Sequence, residues 1–261
     1  MSVTPAVIAH VADALFHAEE TMTAIDKPSL AHALDVDDAY AIQQHNVQRR
    51  LARGARLVGR KIGITSAAVM NWLKVKEPDF GALFHDMLVD DGGVCDVARL
   101  VQPRVEGEVA FVLGHDLLSQ HTTVVDVVAA TASVATAIEI IDSRVKDWQI
   151  TLADTVADNA SSARFVIGAT AVPLAGLDLT LAGCSLKKNG RVASTGAGAA
   201  CLGTPVNAVA WLARTLAARG TPLRQGDVVL SGALCPVVPV VAGDVVEVDV
   251  AHVGRATVRF S

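Results

Sequence analysis

Arg104-Val105-Glu106-Gly107-Glu108-Val109-Ala110-Phe111-Val112-Leu113 is the most informative stretch of the chain. Val105, Val109, Phe111 and Leu113 alternate with other residues, the period-two pattern of a strand with one face in a core. Glu106 and Glu108 share the opposite face. At a strand's rise their Cα atoms lie roughly 7 Å apart, so both carboxylates can converge on one cation and would otherwise repel. Taken alone, a Glu-x-Glu pair also fits the solvated side of an edge strand.

A third carboxylate, Glu139, lies in Ala137-Ile138-Glu139-Ile140-Ile141, a run apolar enough to be buried in any backbone conformation. A buried carboxylate needs either a cation or an ion pair, for which Arg104, Arg144 and Lys146 are the nearby candidates. Three glutamates suit magnesium or manganese better than zinc, which prefers nitrogen and sulfur. Gly59-Arg60-Lys61-Ile62-Gly63 sets a lysine in a glycine-flanked apolar stretch. It is either a surface lysine or an acid–base group whose pKa is lowered by desolvation. Asp154 to Ser162 is a polar interval that reads as hydroxyl and amide donors for a carboxylate, or as a capped turn. Asp79, Gly81 and His85 read as a loop cluster able to move protons.

Outward from these segments, organisation changes near Gly54. Val3 to Met22 reads as one helix, and Val36 to Arg53 as a second, with Val36, Tyr40, Val47 and Leu51 at helical spacing behind Asp37 and Asp38. Residues 1–55 are therefore expected to form a helical lobe, and 56–261 a β-rich domain carrying the metal site. The later part is punctuated by Gly92-Gly93, Gly226-Asp227 and Gly243-Asp244. It ends in alternating runs at Val246 to Val250 and Ala256 to Phe260, expected as antiparallel strands. One helix is expected from Pro205 to Arg219, capped by Thr204 and stopped by Gly220.

The chain has 261 residues, of which 51% are hydrophobic and 19% charged, enough for a sizeable core and too little charge for disorder. A net charge of −5 with scattered basic residues argues against nucleic acid. Cys95, Cys184, Cys201 and Cys235 lack metal-finger spacing and are expected to be reduced and buried. The start of the chain does not read as a secretory signal, and the apolar run from Val228 to Gly243 is too broken for a membrane helix, so a cytoplasmic protein without a membrane span is expected.

Five motifs in order carry a resemblance across nearly the whole chain. They are Gly-Arg-Lys-Ile-Gly at 59–63, Arg-Val-Glu-Gly-Glu at 104–108, Glu-Ile-Ile-Asp-Ser-Arg at 139–144, Ala-Asp-Asn-Ala-Ser at 157–161 and Leu-Ser-Gly-Ala at 230–233. The sequence resembles the 2-hydroxypenta-2,4-dienoate hydratase (2-keto-4-pentenoate hydratase) family of the fumarylacetoacetate hydrolase superfamily. The resemblance implies an α+β fold, a mixed β-roll with an N-terminal helical lobe. It implies Glu106, Glu108 and Glu139 as ligands of Mg2+ or Mn2+, Lys61 and Asp79 as proton-handling residues, and Ser161 and Arg104 beside the substrate. The implied reaction adds water to 2-hydroxypenta-2,4-dienoate or a substituted analogue, giving 4-hydroxy-2-oxopentanoate, in meta-cleavage catabolism of aromatic or steroid compounds. A homo-oligomer, and association with the next aldolase of the pathway, are further implications. Two alternatives stand beside it: a 4-oxalocrotonate decarboxylase, for whose distal carboxylate Arg144 and Arg164 are candidate partners, and a catalytically inert partner subunit of a pathway complex.

Overall fold

The computed structural model describes residues 3–261. Two helices come first, α1 (Pro5–Thr21) and α2 (Val36–Ala52). Helix α1 begins at Pro5 rather than Val3, because the Thr4 side chain accepts from the Val7 amide and Pro5 takes the first turn. Asp35, one residue ahead of the expected start, caps α2 in a reciprocal box with Asp38. The buried stripe of α2 runs through Ala39, Ile42, Gln43 and Val47, while Val36 is exposed at the first turn, a departure from the apolar face expected from spacing alone.

The chain then lays down β1 (Leu57–Gly63), α3 (Ala67–Leu73), β2 (Asp79–Phe84), β3 (Leu88–Val89), β4 (Val94–Cys95) and β5 (Arg104–Leu113). Next come α4 (Val124–Ala130), β6 (Thr131–Ile141), α5 (Leu152–Ala157), β7 (Ser162–Val172), β8 (Gly183–Lys188) and β9 (Arg191–Ala197). The remainder is α6 (Pro205–Ala218), β10 (Val228–Leu230), β11 (Val238–Pro239), β12 (Val245–Val250) and β13 (Gly254–Phe260). No helix is long and apolar enough to cross a membrane among the described residues.

An eight-stranded mixed sheet has the order β2-β1-β10-β5-β6-β7-β3, with β11 also paired to β5. A five-stranded sheet has the order β4-β13-β12-β8-β9. The two chain-terminal strands pair antiparallel as the alternation predicts, Val246 opposite Val258 and Val248 opposite Ala256. Between the sheets lies the main core, where Val105, Val109 and Phe111 of β5 meet Val246, Val248 and Val258. Gly107 belongs to this packing: a Cβ there would stand 2.9 Å from both Cys184 Sγ and a Val248 methyl carbon, so glycine lets the sheets close while its neighbours face the other way. Helices α1 and α2 share a second cluster with α5, in which Val11, Leu15 and Ile42 meet Val156 and Ala157.

Helix α6 starts at Pro205 as expected, although the Thr204 side chain makes no capping hydrogen bond. All four cysteines are buried and free, and Cys184 and Cys235, distant in sequence, bring their sulfurs to 3.8 Å.

Candidate active site

The site grows from the ladder between β5 and β6, in which Glu106 is the direct partner of Glu139. Glu108 follows two residues along on the same face as Glu106. One carboxylate oxygen from each of the three lies within 4.8 Å of the others. Glu108 and Glu139 are fully buried. Their oxygens are poorly served by protein: Glu108 Oε1 and both Glu139 oxygens are buried without a hydrogen-bond partner. Glu108 Oε2 accepts from the Gly232 amide at 2.7 Å, which gives the Leu-Ser-Gly-Ala segment its place in the site. Burial, reinforced by Glu139, pushes Glu106 up to about 7 and raises Glu108 well above the ordinary carboxylate range. Orphaned, mutually repelling carboxylates in a dry setting fit a hard divalent cation, which satisfies several oxygens at once.

Lys61 is 3% exposed, not a surface residue, and its Nζ lies 3.3 Å from Glu139 Oε2. This replaces the ion-pair partners expected for Glu139. Arg144 is instead locked to Asp158, Lys146 reaches Asp26, and Arg104 stacks on the Trp148 ring at 4.4 Å. Burial works to lower the Lys61 pKa, but Glu139, Asp79, Glu106 and Glu108 more than offset it, so the ammonium is held above its ordinary value. The expected lowering by desolvation is thus reversed in this setting.

Asp79 and Gly81 do not lie in a loop: they belong to β2, every residue of which is buried. Asp79 pairs with Gly63 across the β1–β2 ladder, and a Cβ at Gly63 would stand 2.2 Å from Asp79 Oδ1 and 3.1 Å from Lys61 Nζ. The second glycine of the 59–63 motif is therefore the space in which Lys61 and Asp79 sit together. Burial raises the Asp79 pKa against the pull of Lys61. His85 lies outside this group, exposed, with Nδ1 accepting from the Arg56 amide at 3.0 Å.

Thr155, which sequence reasoning passed over as part of a polar interval, connects Asp79 to Ser161. Its hydroxyl is 3.5 Å from Asp79 Oδ2 and 3.2 Å from Ser161 Oγ. Ser161 is presented by an unusual backbone: Asn159, Ala160 and Ser161 all have left-handed φ, at 54, 51 and 54°. Such strain persists only where surroundings over-determine it. Here the Asn159 side chain brackets Ala82, accepting from its amide at 2.7 Å and donating to its carbonyl at 3.0 Å. The turn also presses on Gly81, where a Cβ would stand 2.3 Å from the Asn159 carbonyl oxygen.

Other polar residues of the motifs serve the scaffold. Asp142 accepts from the amides of Val101 and Gln102, and Asp158 accepts from the Arg144 amide and guanidinium. Asp154 caps α5 and holds Ser29. Arg164 donates to the Ala163 carbonyl and borders a different cavity, beside Phe16 and Arg50.

A cavity of about 140 Å³ joins these parts. Its polar lining comes from Lys61, Asp79, Arg104, Glu106, Thr155 and Ser161. Ile64, Val69, Trp72, Ile141, Trp148 and Ile150 are among its apolar lining.

The roll of two packed sheets is the fold of the fumarylacetoacetate hydrolases, and in this chain its inner ladder carries three glutamates with a buried lysine against them. Residues 50–261 match the model of the fumarylacetoacetate (FAA) hydrolase C-terminal family. The chain is 53% identical over 227 residues to a 2-keto-4-pentenoate hydratase of Paraburkholderia xenovorans (strain LB400), covering 87% of this chain and 84% of that protein. It is 47% identical over 251 residues to the TodF product hydratase of Pseudomonas putida, covering 96% and 94%. The chain belongs to the fumarylacetoacetate hydrolase superfamily and, within it, to the 2-keto-4-pentenoate hydratase family. Among solved structures, 4-oxalocrotonate decarboxylase from Pseudomonas putida G7, complexed with magnesium and adipate, superposes with a TM-score of 0.96. That likeness spans 100% of this chain and 99% of the other at 36% identity.

Proposed function

We propose that the protein is a divalent-metal-dependent hydratase that adds water to 2-hydroxypenta-2,4-dienoate or a substituted analogue, giving 4-hydroxy-2-oxopentanoate or its homologue. The observation that carries this reading is the cluster of three carboxylates, two of them with buried oxygens that lack a hydrogen bond, set against Lys61 at the floor of a cavity with an apolar wall. Curated relatives at about half identity bear hydratase names, which supports the same reading.

Glu106, Glu108 and Glu139 would hold magnesium or manganese, which when bound supplies Lewis-acid withdrawal of electrons from the carboxylate and 2-oxygen of the substrate. Lys61 brings a positive charge to the same end of the cavity and, as an ammonium beside Asp79, is placed to pass its proton on. During hydration the 2-hydroxyl loses its proton and C5 gains one; water then adds as hydroxide at C4 with a proton at C3. The hydrogen-bonded series Asp79, Thr155, Ser161 provides a route along which those protons move. Ser161 and Arg104 orient the substrate carboxylate, Arg104 lying over the Trp148 ring. Apolar side chains around the rest of the cavity limit the water that reaches the activated chain.

A second reading, decarboxylation of 4-oxalocrotonate, is favoured by the full-length likeness to that enzyme's structure. It calls for a cation at the far end of the cavity. Neither Arg144 nor Arg164 lines it: Arg144 is spent on Asp158, and Arg164 borders another cavity.

An ultraviolet assay on freshly generated 2-hydroxypenta-2,4-dienoate, with and without magnesium or manganese and with 4-oxalocrotonate in parallel, tests the choice. Metal-dependent loss of the dienoate with a mass gain of one water is the expected result. Release of carbon dioxide from 4-oxalocrotonate without hydration would establish the decarboxylase instead. Inactivity on both would return the chain to an inert structural role.

A further inference from the structure

The cavity is graded from one end to the other. Its floor is charged and dry, with Lys61 3% and Asp79 1% exposed. Its rim is apolar and wet, with Val69 39% and Trp72 64% exposed. Both rim residues lie on α3, whose seven residues Ala67–Leu73 include none that is buried. The helix is held locally, by the Ser66 side chain accepting from the Val69 amide and by Lys74 closing it in the left-handed region. A helix carrying Val69, Met70, Trp72 and Leu73 with no buried residue leaves much of its apolar surface uncovered. Part of that surface borders the cavity directly, through Val69, Trp72 and Leu73.

The charged lining comes from β1, β2 and β5, and none of it from α3. Lys61 and Arg104 are the cations among the described residues lining the cavity. Lys61 is committed to Glu139. Arg104 shares the face of Glu106 on β5 and lies over Trp148. A ligand that seats its carboxylate and 2-oxygen at the floor and extends toward the rim therefore meets α3, which contributes no charge to the cavity.

We infer that α3 forms a subsite for an apolar substituent on the distal carbon of the substrate, with Trp72 and Val69 setting the length and bulk accepted and disfavouring a second carboxylate. This inference rests on the proposed function for the position of the substrate's head.

Calorimetric titration of saturated 2-oxo acids into the magnesium-loaded full chain measures the subsite without turnover. From 2-oxobutanoate to 2-oxooctanoate, affinity should rise up to about fourfold per methylene, the equivalent of about 0.8 kcal/mol per buried CH₂. The dicarboxylate 2-oxoadipate should bind at least about tenfold more weakly than 2-oxohexanoate, which has the same chain length; one factor of ten is about 1.4 kcal/mol. Trp72→Ala should flatten the chain-length dependence, and Val69→Arg should raise the affinity for 2-oxoadipate relative to 2-oxohexanoate by at least about tenfold. Chain-length-independent binding, or ratios unmoved by both substitutions, would overturn the subsite while leaving the head-group assignment intact. Failure of every 2-oxo acid to bind in the presence of magnesium would overturn both.

Discussion

Glu106 and Glu139 stand directly opposite each other on β5 and β6, a like-charged cross-strand pair inside the protein. Such a pair is unfavourable unless something positive lies between or beside it. Lys61 at 3.3 Å from Glu139 supplies part of that charge, and the unpartnered oxygens of Glu108 and Glu139 leave room for more.

Replacing Glu106 by Gln keeps the shape and removes one ligand charge. Metal-dependent turnover should fall by at least about 100-fold, with magnesium affinity lowered and circular dichroism unchanged. Turnover at the wild-type level would sink the metal-site assignment.

Lys61→Met leaves Glu139 and Asp79 without their buried cation. Removing one partner of a buried ion pair costs on the order of 3–5 kcal/mol. A large fall in denaturant midpoint in the metal-free protein is expected, with magnesium recovering part of the stability and none of the activity.

Gly63→Ala inserts a methyl group where Asp79 Oδ1 would be only 2.2 Å away. The neighbour in the way is a side chain, so the fold should survive while Asp79 and Lys61 are displaced. Activity should drop by at least about tenfold, with a thermal midpoint close to wild type; one ångström of misplacement is enough for such a loss. Gly81→Ala differs in kind, because its methyl group meets the Asn159 backbone. It should cost about 1–3 kcal/mol of stability, read by denaturant unfolding.

In the metal-free protein, Glu106 titrates at about 7 because of burial and the nearness of Glu139, against an ordinary value of 4.5. Between those two pH values the folded state holds more protons than the unfolded state, so stability falls as pH rises through the interval. Cation binding requires the carboxylates deprotonated, so magnesium affinity should increase over the same range. Thermal midpoints with chelator should therefore decline from pH 5 to 8, and the increment from added magnesium should grow. A magnesium increment that shrinks toward pH 8 would contradict this.

Local sequence was enough to place much of this protein. Alternation in 104–113 put Glu106 and Glu108 on one strand face away from the core. The apolar run around Glu139 announced its burial, and Pro205 and Gly220 bracketed α6. These features depend on periodicity and on residues that act on their immediate neighbours, so they survive without knowledge of the fold. Segments 79–85 misled for the complementary reason. Asp79 and Gly81 look like loop residues by composition, but β2 tolerates them because Lys61 and the Asn159 turn fill the space around them.

What the sequence by itself determined is the set of chemical groups and the family: three glutamates, a lysine between glycines and the kinship with hydratases. Tertiary structure alone decided which charges meet. Lys61 lies on β1 and Glu139 on β6, with β10 and β5 between them in the sheet. Strand pairing across 78 residues of sequence, curling of that sheet, and the close approach allowed by Gly63 bring the two charges together. The same folding consumed Arg144 in its pair with Asp158 and kept it out of the cavity, to whose lining α3 contributes only apolar side chains. Ion pairing depends on distances through space and on desolvation, neither of which has a period along the chain.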